Sequence, residues 1–364
     1  MTERDEIVHI GGYTAHGGGR SSGIMAARRD PDTGQLTPLG TVAVTPSPSF
    51  LVRHPHQPVL YAVHELPEGE VSAFRVGPDG DLTPLGGRPT GGAEPCHLAV
   101  AADGGHLFVA NYGGGSVAVF PLDAQGALGE RGDLVRHEGH GPDPERQEQA
   151  HAHMVSPDPG AGPLLAVDLG TDSVYRYDLD TDSGRLVPRG PRTRVPAGTG
   201  PRHLARHPDG RRCYLVGELD ATVTAYDLTA DGGLHQRARV DASERPGPVQ
   251  PSEIAVGPDG RFLYVANRGV GTVSVFALAA QAPDPAEPDP AGLAEPDPAE
   301  ALRLVAEVET GGEWPRHFAF AGPHLYVADE RADMIRVFRI DAATGVPAAV
   351  GEPVAVPSPS CVRP

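Results

Sequence analysis

Apolar residues in this chain recur at every second position in short runs, and each run stops at a cluster of Gly, Pro, Asp or Asn. Segments such as "FLYVAN", "SVAVF" and "TVSVF" are rich in Val, Tyr and Phe, which is the chemistry of half-buried strands. No stretch shows a convincing apolar stripe at helical spacing, so an all-β protein is predicted.

The runs are themselves repeated. "PCHLAVAADGGHLFVANYGGGSVAVFPL" from Pro95, "PRHLARHPDGRRCYLVGELDATVTAYDL" from Pro201 and "PSEIAVGPDGRFLYVANRGVGTVSVFAL" from Pro251 share one plan. A strand meets a Pro-Asp-Gly type turn, then comes a strand ending in a polar pair, then a polar or glycine-rich turn and a third strand. Looser copies run from Pro48, Ala152 and Pro315, and a fourth strand follows each. A spacing of about 45 to 60 residues with four short strands per copy matches the blades of a β-propeller. The stretch from Ile7 to "GQLTPLG" supplies second, third and fourth strands without a first, and "PSPSCVRP", Pro357 to Pro364, supplies only a first. Joined, they make a seventh blade. The prediction is an all-β, seven-bladed β-propeller of four-stranded antiparallel blades, residues 1–364 as one domain, its ring closed by pairing N- and C-terminal strands. That pairing removes the sheet edge an open ring would expose.

Two segments break the period. Ala279 to Ala301 is short repeats of Pro, Ala and acid, too poor in apolar residues to pack, and is expected to be a disordered loop at the outer edge of the fifth blade. "RHEGHGPDPERQEQA", from Arg136, links the second and third blades and is expected to lie near one mouth of the channel as a partial lid.

Composition narrows the partners. The 47 Gly and 39 Pro would suggest disorder if aperiodic, but here they punctuate the repeat. With 48 acidic and 30 basic residues the formal charge is −18, which disfavours nucleic acid and anionic membrane surfaces. The chain has no lysine, so Schiff-base and P-loop lysine chemistry are excluded. Three cysteines without CxxC spacing suggest neither a zinc knuckle nor a disulfide framework. With no signal-like or membrane-spanning run, a cytoplasmic protein is expected, a monomer or weak oligomer with no cofactor.

In a propeller the first strand of each blade lines the central channel. Two registers carry polar residues where packing needs none. One opens the inner strand: Cys96-His97, His151 with His153, Arg202-His203, Ser252-Glu253, Arg316-His317 and Ser360. The other closes the second strand: His64-Glu65, Asn111-Tyr112, Asp168, Glu218, Asn267-Arg268, Asp329-Glu330 and Gly12-Tyr13. Arginines gathered on one axis of an acidic protein suit an anion, because the planar guanidinium donates two parallel hydrogen bonds. His151, Arg202, Glu218 and Arg268 form a set able to activate water against an ester or lactone carbonyl and to stabilise the oxyanion. His153, His203, Glu65, Asn111 and Arg316 would line the substrate. The same residues also suit a structural hydrogen-bond ladder with trapped water, and spacing alone leaves both readings open. His151 and His153 lack an evident third metal ligand, so no metal is expected. The Pro-Ser runs lack a nucleophile elbow, which rejects a serine hydrolase. His54, His56 and His207 are expected to be solvated turn residues, and Trp314 a packing residue.

"GPRHLARHPDG" followed by "GELDATVTAYDL", with "AHAHMVSPD" upstream and "QPSEIAVGPDGRFLYVANRG" downstream, resembles the seven-bladed β-propeller lactonases over nearly the whole chain. The resemblance implies a lactone hydrolase whose partner is a small anionic sugar lactone, 6-phospho-D-glucono-1,5-lactone first. A cycloisomerase or hydrolase of another carboxylated lactone, of the carboxymuconate type, and a non-catalytic propeller scaffold remain the alternatives. It implies His151 as the base, with His153 beside it, Arg202 and Arg268 on substrate or oxyanion, and Glu218 as the positioning carboxylate. Where the family carries "NEL", this chain has "GEL", with Gly217 in place of Asn.

Overall fold

Each repeat folds into the antiparallel sheet its alternation predicts. The structure, a computed structural model, describes residues 6–160, 162–229, 231–279 and 301–364. Seven sheets surround one axis. In the second blade, for example, Pro95–Val100 is innermost, followed outward by His106–Asn111, Ser116–Pro121 and Asp133–Arg136. The seventh blade is split as expected: Pro359–Arg363 pairs with Ile7–Gly12, with Ile10 opposite Val362 and Gly11 opposite Cys361. One short 3-10 turn, Ala15–Gly17, interrupts the strands of the seventh blade. No helix among them is long and apolar enough to cross a membrane.

The fourth strand is broken in two blades. In the third, Arg185–Pro188 and Thr193–Arg194 both pair with Ser173–Asp180. Between them Gly190, at φ 72°, and Pro191 interrupt the ladder, since Pro offers no N–H to it. The residues of the expected acidic loop, 280–300, lie outside the described ones.

The core lies between blades. Leu51, Leu60 and Val71 of the first blade pack with Leu107, Val109 and Phe120 of the second, and equivalent clusters recur around the ring. Buried second-strand tyrosines stitch neighbours together: Tyr61, Tyr264 and Tyr326 donate to the carbonyls of Gly126, Gly345 and Gly34, at 2.6, 2.7 and 2.8 Å. Each carbonyl belongs to the outer turn of the next blade. Tyr214 is also buried, but its hydroxyl has no partner among the described residues. His54 and His207 correct the expectation of solvated turns: both are buried and meet the next blade's turn at Gly104 O (3.1 Å) and Gly260 O (2.9 Å). His56 is exposed, as expected.

Candidate active site

The inner strands start irregularly, and that irregularity builds the site. Simple alternation would send the second and third residues of a strand to opposite faces. A register shift at the start of the inner strand in six blades instead re-aims these positions. Arg202 and His203 therefore both line the axial cavity, with Ser49, Phe50, Cys96, His153, Arg316 and Ser360. This enclosed space is about 10 Å³, room for one water molecule.

The second register divides into two roles. Its first members fasten loops: Asn111 donates to Ser116 Oγ (3.1 Å), Asn267 to Ser274 Oγ (2.8 Å), and Asp329 accepts from the Trp314 N–H (3.2 Å). Asp168 likewise accepts from the backbone N–H of His151 (3.1 Å). Of the residues that follow, Glu65 lines the axial cavity, Arg268 pairs with Glu218, Glu330 lies 3.5 Å from Arg316, and Tyr112 lines a neighbouring groove. Asn111, expected to bind substrate, is thus a fastener within its blade. Its neighbour Tyr112 reaches the site. Gly217 occupies the fastener position before Glu218, and a Cβ there would fall 2.2 Å from Asp220 Oδ1 and 2.7 Å from Thr199 Cγ2. Those two side chains fill the space a side chain at position 217 would take.

Glu218 is the hub. It is buried, and its Oε2 accepts from Arg202 Nη1 and pairs with Arg268 Nη2, both at 2.7 Å. Its Oε1 accepts from Arg146 Nη2 at 2.6 Å. Burial alone would raise its pKa, but Arg268 and Arg202, then His153 and Arg146, hold the carboxyl well below the usual carboxylate range. Arg268 also donates to the carbonyls of Gln250 and Pro251 (3.2 Å each) and lies 5.4 Å from the Trp314 ring centroid, so Trp314 packs against a site arginine. Burial lowers the Arg268 pKa to about 10.

His153 and His203 sit beneath the arginines. Arg202 Nη1 lies 2.6 Å from His153 Nε2, and a guanidinium only donates, so the imidazole is the acceptor there. Burial, then Arg202, pushes both His153 and His203 well below their ordinary range, leaving them neutral. His203 Nδ1 faces Glu253 Oε2 at 3.1 Å, while its Nε2 is buried without a partner among the described residues. Arg316 forms a separate group with Tyr13 and Glu65: the Tyr13 hydroxyl accepts from Arg316 and donates to Glu65 Oε2 at 2.8 Å.

His151 stands apart from this hub. It faces a neighbouring groove of about 370 Å³ lined also by Pro67, Ala93, Glu94, Tyr112, Glu145 and Glu148. Its ring stacks on Tyr112 at 4.4 Å; Nδ1 lies 3.0 Å from Tyr112 O and Nε2 3.2 Å from Glu148 Oε1. Tyr112 connects the two sites, since its hydroxyl accepts from Arg146 (3.4 Å), the arginine on Glu218. The set expected from sequence is therefore brought together in two parts: Arg202, Glu218 and Arg268 in direct contact, and His151 one tyrosine ring away. Sequence reasoning misses Arg146; it lies on the non-repeating link, where only the expected lid position hints at it. No cluster of three or more His, Cys, Asp or Glu suited to a metal occurs among the described residues.

Fold and site define a propeller enzyme of the lactonase class. The family model described as "Lactonase, 7-bladed beta-propeller" matches residues 7–364, and the chain belongs to that family. It is similar to the 6-phosphogluconolactonase of Bacillus subtilis (strain 168), 31% identical over 98% of this chain and 97% of that one. Among solved structures it is similar to a periplasmic gluconolactonase of Pseudomonas aeruginosa, at TM-score 0.87 and 32% identity over 98% of both chains. A Lactobacillus plantarum protein gives TM-score 0.86 at 29% identity, again over 98% of both.

Proposed function

We propose that this protein hydrolyses a sugar lactone, 6-phospho-D-glucono-1,5-lactone, to 6-phosphogluconate. The observation that carries the reading is the convergence of Arg146, Arg202 and Arg268 on buried Glu218, beside a groove of sugar size that holds His151. The relatives named as 6-phosphogluconolactonases support it.

In this reading the lactone lies in the groove with its carbonyl toward the arginines. Donation of Nδ1–H to Tyr112 O sets the His151 tautomer; the half-exposed Glu148 carboxylate, which faces Nε2 in the resting site, yields that place to water, and Nε2 takes a proton from the water as it adds to the carbonyl carbon. Glu148 stabilises the imidazolium that forms. Arg202 and Arg268 receive the oxyanion, with Glu218 holding both guanidiniums in place. When the tetrahedral adduct collapses, the ring oxygen leaves with the proton from His151, and the product is the open-chain acid. Three buried free thiols suit a reducing cytoplasm.

The test is turnover of purified protein above the spontaneous opening of the lactone. Arg202→Ala should lower kcat/KM by about 100- to 1000-fold, as loss of an oxyanion donor does. Equal rates for the variant and wild type would overturn these roles. A neutral gluconolactone is the second reading, favoured by the carboxylates of Glu94, Glu145 and Glu148 along the groove and by the Pseudomonas relative. Higher kcat/KM for the unphosphorylated lactone would establish it instead.

A further inference from the structure

We propose that Arg146 determines the substrate specificity of this site, releasing Glu218 to bind the anionic group a substrate carries away from its lactone carbonyl. The inference rests on the lactonase reading above.

Charge is the first argument. Arg146, Arg202 and Arg268 share one carboxylate, so the hub holds two positive charges beyond its resident anion. Buried charge without a partner is costly, and an arriving anion relieves it. The groove offers no such relief to an anion by itself, because Glu94, Glu145 and Glu148 line it and Glu148 lies within the field of Arg146. Recruitment of an anion therefore falls to Arg146.

Access is the second. The Arg146 side chain is 35% exposed, against 6% for Arg202 and 5% for Arg268. The inner two are also pinned, Arg202 by His153 and Arg268 by two backbone carbonyls. Only Arg146 can change partners without opening the channel.

Delivery is the third. Gln147, fully buried, donates to Leu169 O and to Asp172 Oδ1, both at 2.8 Å. Asp143 accepts from the backbone N–H groups of Glu145 and Arg146, at 2.9 and 3.0 Å. Asp172 in turn accepts from Gly198 and Gly200, at 2.7 and 2.8 Å, just before the strand that carries Arg202. The link is thus fastened to the frame of the arginine site at the residue beside Arg146. Its backbone is fixed, and the side chain alone exchanges Glu218 for the ligand.

Calorimetric titration with 6-phosphogluconate and with gluconate separates this role from a structural pin. Wild type should prefer 6-phosphogluconate. Arg146→Met should weaken that ligand about 10- to 100-fold, the worth of hydrogen bonds to a charged group, and gluconate by less than about threefold. Arg146→Lys should recover part of the preference, because it restores the charge without the planar fork. Thermal unfolding of each variant checks that it is folded. Equal weakening of both ligands, a preference retained in Arg146→Met, or no preference in wild type would overturn the proposal. The lactonase reading is judged separately by turnover: a protein that opens no lactone, yet loses 6-phosphogluconate selectively in Arg146→Met, would refute that reading and leave the role of Arg146 standing.

Discussion

Glu218 compensates three guanidiniums with one carboxylate, and much of the site hangs on that imbalance. Glu218→Gln keeps the shape but removes the charge. It should destabilise the protein by about 3 kcal/mol or more, the usual cost of stranding buried charge, and reduce kcat/KM by at least about 100-fold. Denaturant unfolding and turnover measure the two effects; a Gln variant as stable and active as wild type would contradict the hub. Arg202, Glu218 and Arg268 are legible in the sequence because they occupy repeat registers that converge by construction. Asn111 shares one register with Tyr112, and sequence does not say which of two neighbours turns inward; the structure places the Asn111 amide on Ser116 of its own blade. Arg146 is illegible for a different reason: a link outside the repeat has no register to predict where it lands.

Among the strands, three devices recur. The register shift at the inner strand brings consecutive side chains to the axis, and a polar residue before the inward-facing one ties down the adjoining loop. The third is the tyrosine stitch between blades. Tyr264→Phe should cost about 1 kcal/mol by deleting a buried hydrogen bond. Urea titration measures the loss, and a variant as stable as wild type would show that the stitch contributes nothing. Left-handed Ser47 and Ser358, at φ 38° and 42°, stand in the two Pro-Ser-Pro-Ser runs immediately before equivalent inner strands. The second run is the start of the closing strand, where Ser360 Oγ donates to Ser49 O at 2.7 Å and so packs the ring. Truncation after Val356 should leave a three-stranded seventh blade with an open edge, giving aggregation or loss of cooperative unfolding. A truncated protein that melts as wild type does and keeps full activity would refute closure by that strand.

Across the whole molecule, neutral buried histidines couple stability to acid. Burial, then Arg53, lowers His9 from 6.5 to about 4; burial lowers His317 to about 3; His97, His153 and His203 lie well below their ordinary value for the same first reason. Unfolded histidines take up protons near pH 6.5, while these do not until the folded values are reached. Stability should therefore be full above about pH 7, fall as pH drops below 6.5, and keep falling toward pH 3 to 4. His9 alone removes roughly 3 kcal/mol by pH 4, at about 1.4 kcal/mol per tenfold change in proton affinity. Glu218, held low, adds to the loss below its ordinary 4.5, whereas Glu253, raised by burial, opposes it slightly. Calorimetric melting at constant ionic strength, pH 8 to 4, tests this; a melting temperature flat from pH 7 to 5 would count against the buried neutral imidazoles.

The amino-acid sequence alone determined the strand periodicity, the seven copies and the split blade, because each is written in local alternation and in repetition along the chain, while motifs such as "GPRH" and "GEL" carried the resemblance to the family. It also determined that arginines, histidines and carboxylates would meet on one axis, since repeat registers map onto a ring. Only the tertiary structure decided which neighbour in a polar pair faces inward, that His151 lies in a groove beside the arginine hub and not within it, and that a link residue supplies the third guanidinium. Those outcomes depend on bulges, on loop paths and on contacts between blades, where no repeating pattern connects position in the chain to position in space.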